Sequence, residues 1–133
     1  MDRATIILDI AERRMRQSGY NAVSFRDIAA EIGIKSASLH YHFPKKEDLG
    51  VALVRRYAAN FAMALEKMTN DINAPRDKRA AFVEIYRVEL EERHLVCLCA
   101  VLGAEAAGLP TNVTAEVRAF FTANLAWLET QYA

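Results

Sequence analysis

The sequence predicts an all-α protein, and three observations carry that reading. Apolar residues recur at spacings of three and four through most of the chain, the mark of helices with one buried face. Only 5 Gly and 3 Pro occur among 133 residues, too few punctuators for many short strands and tight turns. The composition is 53% hydrophobic and 26% charged, which supports a packed core and excludes disorder as the main state.

The elements follow in order. Ala4, Ile7, Leu8, Ala11 and Met15 share one face of a first helix, Ala4 to Ser18, with Gly19 as its stop. Arg13, Arg14 and Arg16 fall on its other side and read as a solvated basic face. Ser24, with Asp27 three residues later, resembles a capping box that opens a second helix. Ile28, Ala29 and Ile32 give that helix its apolar stripe, and Gly33 ends it after barely two turns. Ser36 is placed as the N-cap of a third short helix through His42. Phe43-Pro44 breaks it, because a residue before proline avoids the helical region.

A fourth helix resumes near Lys45 or Lys46 and carries Leu49, Leu53, Tyr57, Phe61 and Leu65. Asn70 to Pro75 is the clearest linker. A fifth helix is expected from Arg76 to Glu91. A sixth, Leu95 to Ala107, is apolar nearly all round and therefore buried, and Gly108-Leu109-Pro110 stops it. A seventh, from about Thr114, has Val117, Phe120, Phe121, Leu125, Leu128 and Tyr132 assigned to one stripe.

Several function classes drop out. The longest apolar run, Leu95 to Ala104, is far short of the ~20 residues a bilayer requires. Asp2, Arg3 and Asp9 interrupt the start of the chain where a secretory leader would be apolar. Cys97 and Cys99 are too close for an unstrained bridge, so they read as core thiols in a cytoplasmic protein, with thiol sensing a weaker alternative. No Gly-rich phosphate loop, Gly-x-Ser-x-Gly elbow or His-Glu-x-x-His pair occurs, so neither enzymatic chemistry, nor a metal, nor a cofactor is expected.

Formal net charge is zero, yet it is unevenly spread. Residues 1–56 hold 10 basic and 7 acidic side chains, and the rest of the chain holds 7 basic and 10 acidic. A polyanion-binding surface therefore belongs in the first half.

Residues 24–43 supply one. Two short helices flank a glycine turn, with Ala29 small enough for a close crossing and Ile28, Ile32, Ile34 and Leu39 locking the pair. That is the helix-turn-helix pattern, whose second helix enters the major groove. The outward residues of that second helix, Lys35, Ser36, Ala37, Ser38, His40, Tyr41 and His42, suit base edges, thymine methyls and phosphates.

The run Phe25-Arg26-Asp27-Ile28-Ala29, then Gly33-Ile34, then Ser38 through Leu49 resembles the DNA-binding signature of the tetracycline-repressor (TetR/AcrR) family, over roughly residues 3–56. His40 departs from the pattern, since relatives more often carry Tyr there. The resemblance implies a DNA-binding set of Arg26, Lys35, Ser36, Ala37, Ser38, His40, Tyr41, His42 and Lys46. Arg26 would reach a phosphate or a guanine edge, and Lys46 a phosphate at the start of the fourth helix.

It further implies a helix-turn-helix domain over 1–48 and an incomplete helical effector-binding and dimerisation region over 49–133. Phe61, Phe82, Tyr86, Cys97, Val101 and Trp127 could surround a small, mostly apolar ligand; filling the core is an equally good reading of each. Relatives continue for two further long helices. The chain is thus expected either to be a truncated form, the favoured reading, or to dimerise through its last two helices. Together these expectations describe a repressor that binds double-stranded DNA at a pseudo-palindromic operator as a homodimer and is released by a small effector. The alternative is a helical ligand-binding or protein-interaction module without DNA binding.

Overall fold

Local signals start and stop the first three helices. In the computed structural model, which describes residues 2–133, α1 spans Arg3–Ser18 and opens on Asp2, whose carboxylate accepts the Thr5 backbone N–H at 2.8 Å. Helix α2, Phe25–Ile32, opens on Ser24, whose hydroxyl accepts the Asp27 N–H at 3.1 Å, and ends on Gly33 at φ 83°. A left-handed residue there lets the N–H groups of Gly33 and Ile34 both reach the Ala29 carbonyl, at 2.9 and 3.0 Å. Helix α3 spans Ser36–His42. Its N-cap is Lys35 rather than Ser36, one residue earlier than expected, and no side chain caps it.

Helix α4 covers Lys46–Thr69, and the Asp48 carboxylate accepts the Lys45 N–H at 2.9 Å. This is one half of a capping box, because a lysine side chain cannot accept in return. Helix α5, Pro75–Arg93, begins with proline in its first turn, where no N–H is needed. Helix α7 spans Thr111–Tyr132 and starts three residues before the expected Thr114.

The sixth element departs most from expectation. Helix α6 is short, Leu98–Ala104, and a 3-10 turn follows at Ala106–Gly108. His94 ends α5 in the left-handed region at φ 56°, and the Leu95 N–H folds back on the Glu89 carbonyl at 3.0 Å. Residues 95–97 consequently lie outside any helix, and the Val96 carbonyl is taken by Arg16 instead.

Helix α4 is the spine. It packs on α1, α5, α6 and α7. One continuous core results, from Ile7, Met15, Ile28 and Leu39 through Leu49 and Leu53 to Leu98, Leu102, Val113 and Phe120. Burying such side chains stabilises the fold by about 1.5–3 kcal/mol each.

Two expectations are corrected by this packing. Arg16 is buried, at 7% exposure. Its guanidinium donates to the Val96 carbonyl at 2.8 Å, to Glu89 at 3.0 Å and to Glu12 at 3.3 Å, and lies 5.3 Å from the Tyr57 ring centroid. Arg13 and Arg14 are not a free basic face either, because both pair with Glu31 and brace α1 against α2. The single stripe assigned to the seventh helix divides in two. Val117 and Phe120 are buried, whereas Phe121, Leu125 and Tyr132 are exposed. Among the described residues, no helix is long and apolar enough to cross a membrane.

Candidate nucleic-acid interface

Helix α3 is held by its inner face. Leu39 is fully buried, and Ala29, also buried, lets α2 cross close beneath it. The opposite face is open: Lys35, Ser36, Ala37, His40 and Tyr41 are exposed, and Ser38 and His42 are half-buried. Tyr41 stands furthest out at 84% exposure, its ring 5.1 Å from that of His42 and edge-on to it. Arg26, on α2, is exposed beside this face, and neither it nor Lys35 has an acidic partner among the described residues. Glu31, one of the two acids on α2, is already occupied by Arg13 and Arg14.

Two of the nine expected contact residues carry internal bonds as well. The His40 ring nitrogen Nδ1 lies 3.1 Å from the Pro44 carbonyl, and its ring lies 4.8 Å from that of Phe25. A carbonyl only accepts, so Nδ1 carries the proton, and Nε2 of the neutral ring is an acceptor. His40 thereby ties α3 both to α2 and to the junction with α4. Lys46 donates Nζ to the Tyr20 carbonyl at 2.6 Å and lies 4.2 Å from the Tyr20 ring centroid. Burial pulls the Lys46 ammonium below its usual pKa, and the Glu105 carboxylate opposes that shift. An ammonium has three N–H groups, so two remain for an anion.

Tyr20 and Glu105 were not found by sequence reasoning. Glu105 Oε1 accepts the Tyr20 N–H at 3.0 Å, so the turn that positions Lys46 is itself gripped from the end of α6. The partners are 85 residues apart, and no local pattern announces such a contact.

Four of the six residues suggested for a ligand, Phe61, Phe82, Tyr86 and Trp127, form a packed aromatic cluster. Phe61 lies 5.6 Å from Phe82 and 5.4 Å from Tyr86, and Phe82 stacks on Trp127 at 5.7 Å. Cys97 is buried beside Tyr57 and Tyr86, whose phenols are pushed above their usual pKa by burial first and by that thiol second. Val101, on α6, is half-buried and takes no part in the ring stack. A cavity of about 200 Å³ opens between α1, α4 and α5, lined by Arg16, Tyr57, Phe61, Ile85 and Glu89 among others. Of the suggested six, Phe61 lines it.

This arrangement, a helix pair with an open recognition face on a helical body, has close counterparts. Residues 7–53 match the family described as bacterial regulatory proteins, tetR family. The crystal structure of a TetR transcriptional regulator from Legionella pneumophila superposes with a TM-score of 0.90 and 33% identity, over 99% of this chain and 72% of that one. KstR2, an HTH-type transcriptional repressor of Rhodococcus jostii, is 40% identical over 55 residues, 41% of this chain and 27% of that protein. IcaR of Staphylococcus aureus, named as a negative transcriptional regulator of a biofilm operon, is 30% identical over 92 residues, 67% of this chain and 48% of that protein.

The chain belongs to the TetR family of bacterial regulatory proteins. It spans about half the length of IcaR and about a quarter of that of KstR2.

Proposed function

We propose that the chain is a DNA-binding transcriptional repressor that works as a homodimer in the cytoplasm and releases its operator when a small effector binds. The observation that carries this reading is the outer face of α3, polar and largely open, with Lys35, Ser36, Ala37, His40 and Tyr41 exposed above a buried Leu39. Lys35, Ser36, Ala37 and Ser38 would meet base edges, and Arg26, Tyr41, His42 and Lys46 phosphates or flanking bases. His40 would serve chiefly to hold α3 on its neighbours. The repressor KstR2 and the negative regulator IcaR support the sign of regulation, and their roles as regulators support the reading of this chain as non-enzymatic.

A dimer would set two such faces about one turn of DNA apart, ~34 Å, which is why a pseudo-palindromic site would be read. Residues 1–48 would form the DNA-binding unit and 49–133 the effector and dimer region, with α4 running unbroken between them. Between α3 and α4 there is little slack, since the Phe43 N–H still bonds the Leu39 carbonyl at 2.8 Å. An effector lodged among Phe61, Phe82, Tyr86, Cys97, Val101 and Trp127 would shift α4 and with it the spacing of the two recognition helices.

A titration of the chain against the duplex flanking its own gene tests the reading. The Arg26→Ala, Lys46→Ala double variant should weaken binding about tenfold or more, with affinity falling steeply as salt rises. Unchanged binding in that variant would favour an interaction module that does not use DNA.

A further inference from the structure

The cavity between α1, α4 and α5 has two kinds of lining. Tyr57, Phe61, Ala64 and Ile85 are buried or half-buried and give it an apolar wall. Glu12, Arg16, Glu89 and Arg93 give it charge. Among those charged groups the acceptors are taken and the donors are not. Glu12 accepts from Arg56 with one carboxylate oxygen at 3.0 Å and from Arg16 with the other at 3.3 Å. Glu89 accepts from Arg16 with one oxygen at 3.0 Å, and its other oxygen lies 3.4 Å from Arg93. Every carboxylate oxygen in the lining therefore already faces a guanidinium. Arg16 has five N–H groups and spends three, on Val96, Glu12 and Glu89, so each of its terminal nitrogens keeps one. Arg93 is 68% exposed, and 3.4 Å to Glu89 is its one pairing among the described residues. Spare guanidinium donors beside an apolar wall suit an anion with an apolar body and not a cation.

We infer that this cavity is a binding site for a small carboxylic acid with a single-ring body, of which benzoate is the simplest. A dry cavity of about 150 Å³ holds one benzene molecule, so the 200 Å³ here has room for a ring and its carboxylate. The ring lies against Tyr57, Phe61 and Ile85. The carboxylate takes the unspent N–H groups of Arg16 and the guanidinium of Arg93, whose planar fork matches its two oxygens. Arg16 is already held in place by its three bonds, so little ordering is needed on binding. The site is separate from the stack of Phe82, Tyr86 and Trp127, none of which lines this cavity. It also spans two parts of the fold, since Arg16 belongs to α1 and Arg93 ends α5.

The inference goes beyond the repressor reading, and it is tested without DNA. Titration of benzoate into the isotope-labelled chain should give saturable shifts at the amides of Arg16, Tyr57, Ile85 and Arg93. Arg93→Gln, at an exposed site, should weaken binding about three- to tenfold. Ala64→Leu fills the cavity with a good helix former and should abolish binding while helical content holds. Benzamide, the same ring without the charge, should bind about tenfold more weakly than benzoate. The inference is overturned by the absence of saturable shifts at millimolar benzoate, by shifts centred on Phe82 and Trp127, by benzamide binding as well as benzoate, or by binding that either variant leaves unchanged. Benzoate bound as described by a chain that ignores duplex keeps this site and removes the repressor reading; duplex binding by a chain that ignores benzoate does the reverse.

Discussion

Glu105, at the end of α6, holds the backbone N–H of Tyr20 at 3.0 Å, and the carbonyl of the same Tyr20 accepts from Lys46 at 2.6 Å. One peptide segment in the α1–α2 turn is thus fastened to the body of the protein on one side and to the start of α4 on the other. Gly19 makes the approach possible: at φ 89° it occupies a conformation that disfavours side chains, and a Cβ there would lie 2.7 Å from the Glu105 carboxylate.

Glu105→Ala is expected to cost about 1–3 kcal/mol, the penalty of a part-buried N–H left without its partner. Glu105→Gln, which keeps an acceptor, should cost less. Urea denaturation of the two variants gives the comparison, and equal losses would show that the hydrogen bond is not what the carboxylate supplies.

Arg16 joins α1 to α5 and to the segment after it. Arg16→Met keeps the apolar bulk and removes the guanidinium, leaving Glu89, Glu12 and the Val96 carbonyl without it. Breaking a fully buried pair costs about 3–5 kcal/mol. Both glutamates keep some hydration, so about 2–4 kcal/mol is expected here, read from the denaturation midpoint. A stability equal to that of the unaltered chain would mean that Arg16 does not fasten these elements.

Tyr41 and Lys46 should separate in their response to salt. Tyr41→Ala removes a side chain that is mostly in water, so stability should hold while DNA affinity falls. Lys46→Ala should lower the slope of log affinity against log salt by about 1, as expected for one phosphate contact. An unaltered slope would assign the Lys46 ammonium wholly to Tyr20.

Alkaline pH should destabilise the fold. Burial first, and the Cys97 thiol second, push the Cys99 thiol up, and burial likewise raises the phenols of Tyr57 and Tyr86. Each is an acid that the folded state keeps protonated beyond its unfolded range. The stability this confers is complete below the unfolded values, ~8.5 for a thiol and ~10 for a phenol, and is lost as pH climbs past them. The urea midpoint should therefore fall above about pH 9, less so in Cys99→Ala, and native thiols should resist alkylation near pH 7. A midpoint that rises across that window contradicts the assignment.

What was legible in the chain was local. Ser24 before Asp27, the left-handed Gly33 and the Phe43-Pro44 break each act within four residues, and all three stand in the structure as read. The open face of α3 follows from those boundaries together with the burial of Leu39. The misreadings are non-local. Arg16 looked solvated because its partners Glu89 and Val96 lie 73 and 80 residues away. The sixth helix looked long because an apolar run does not reveal that Arg16 takes the Val96 carbonyl out of helical bonding. Phe120 and Phe121 were joined in one stripe, since periodicity alone gives an apolar face about its own width and not which edge meets α4.

The most direct test follows backbone amide resonances of the isotope-labelled chain as duplex from beside its gene is added. Shifts should concentrate at Ser36 to His42, at Arg26 and at Lys46, with α5 undisturbed. Shifts confined to other helices, or none at saturating duplex, would contradict it.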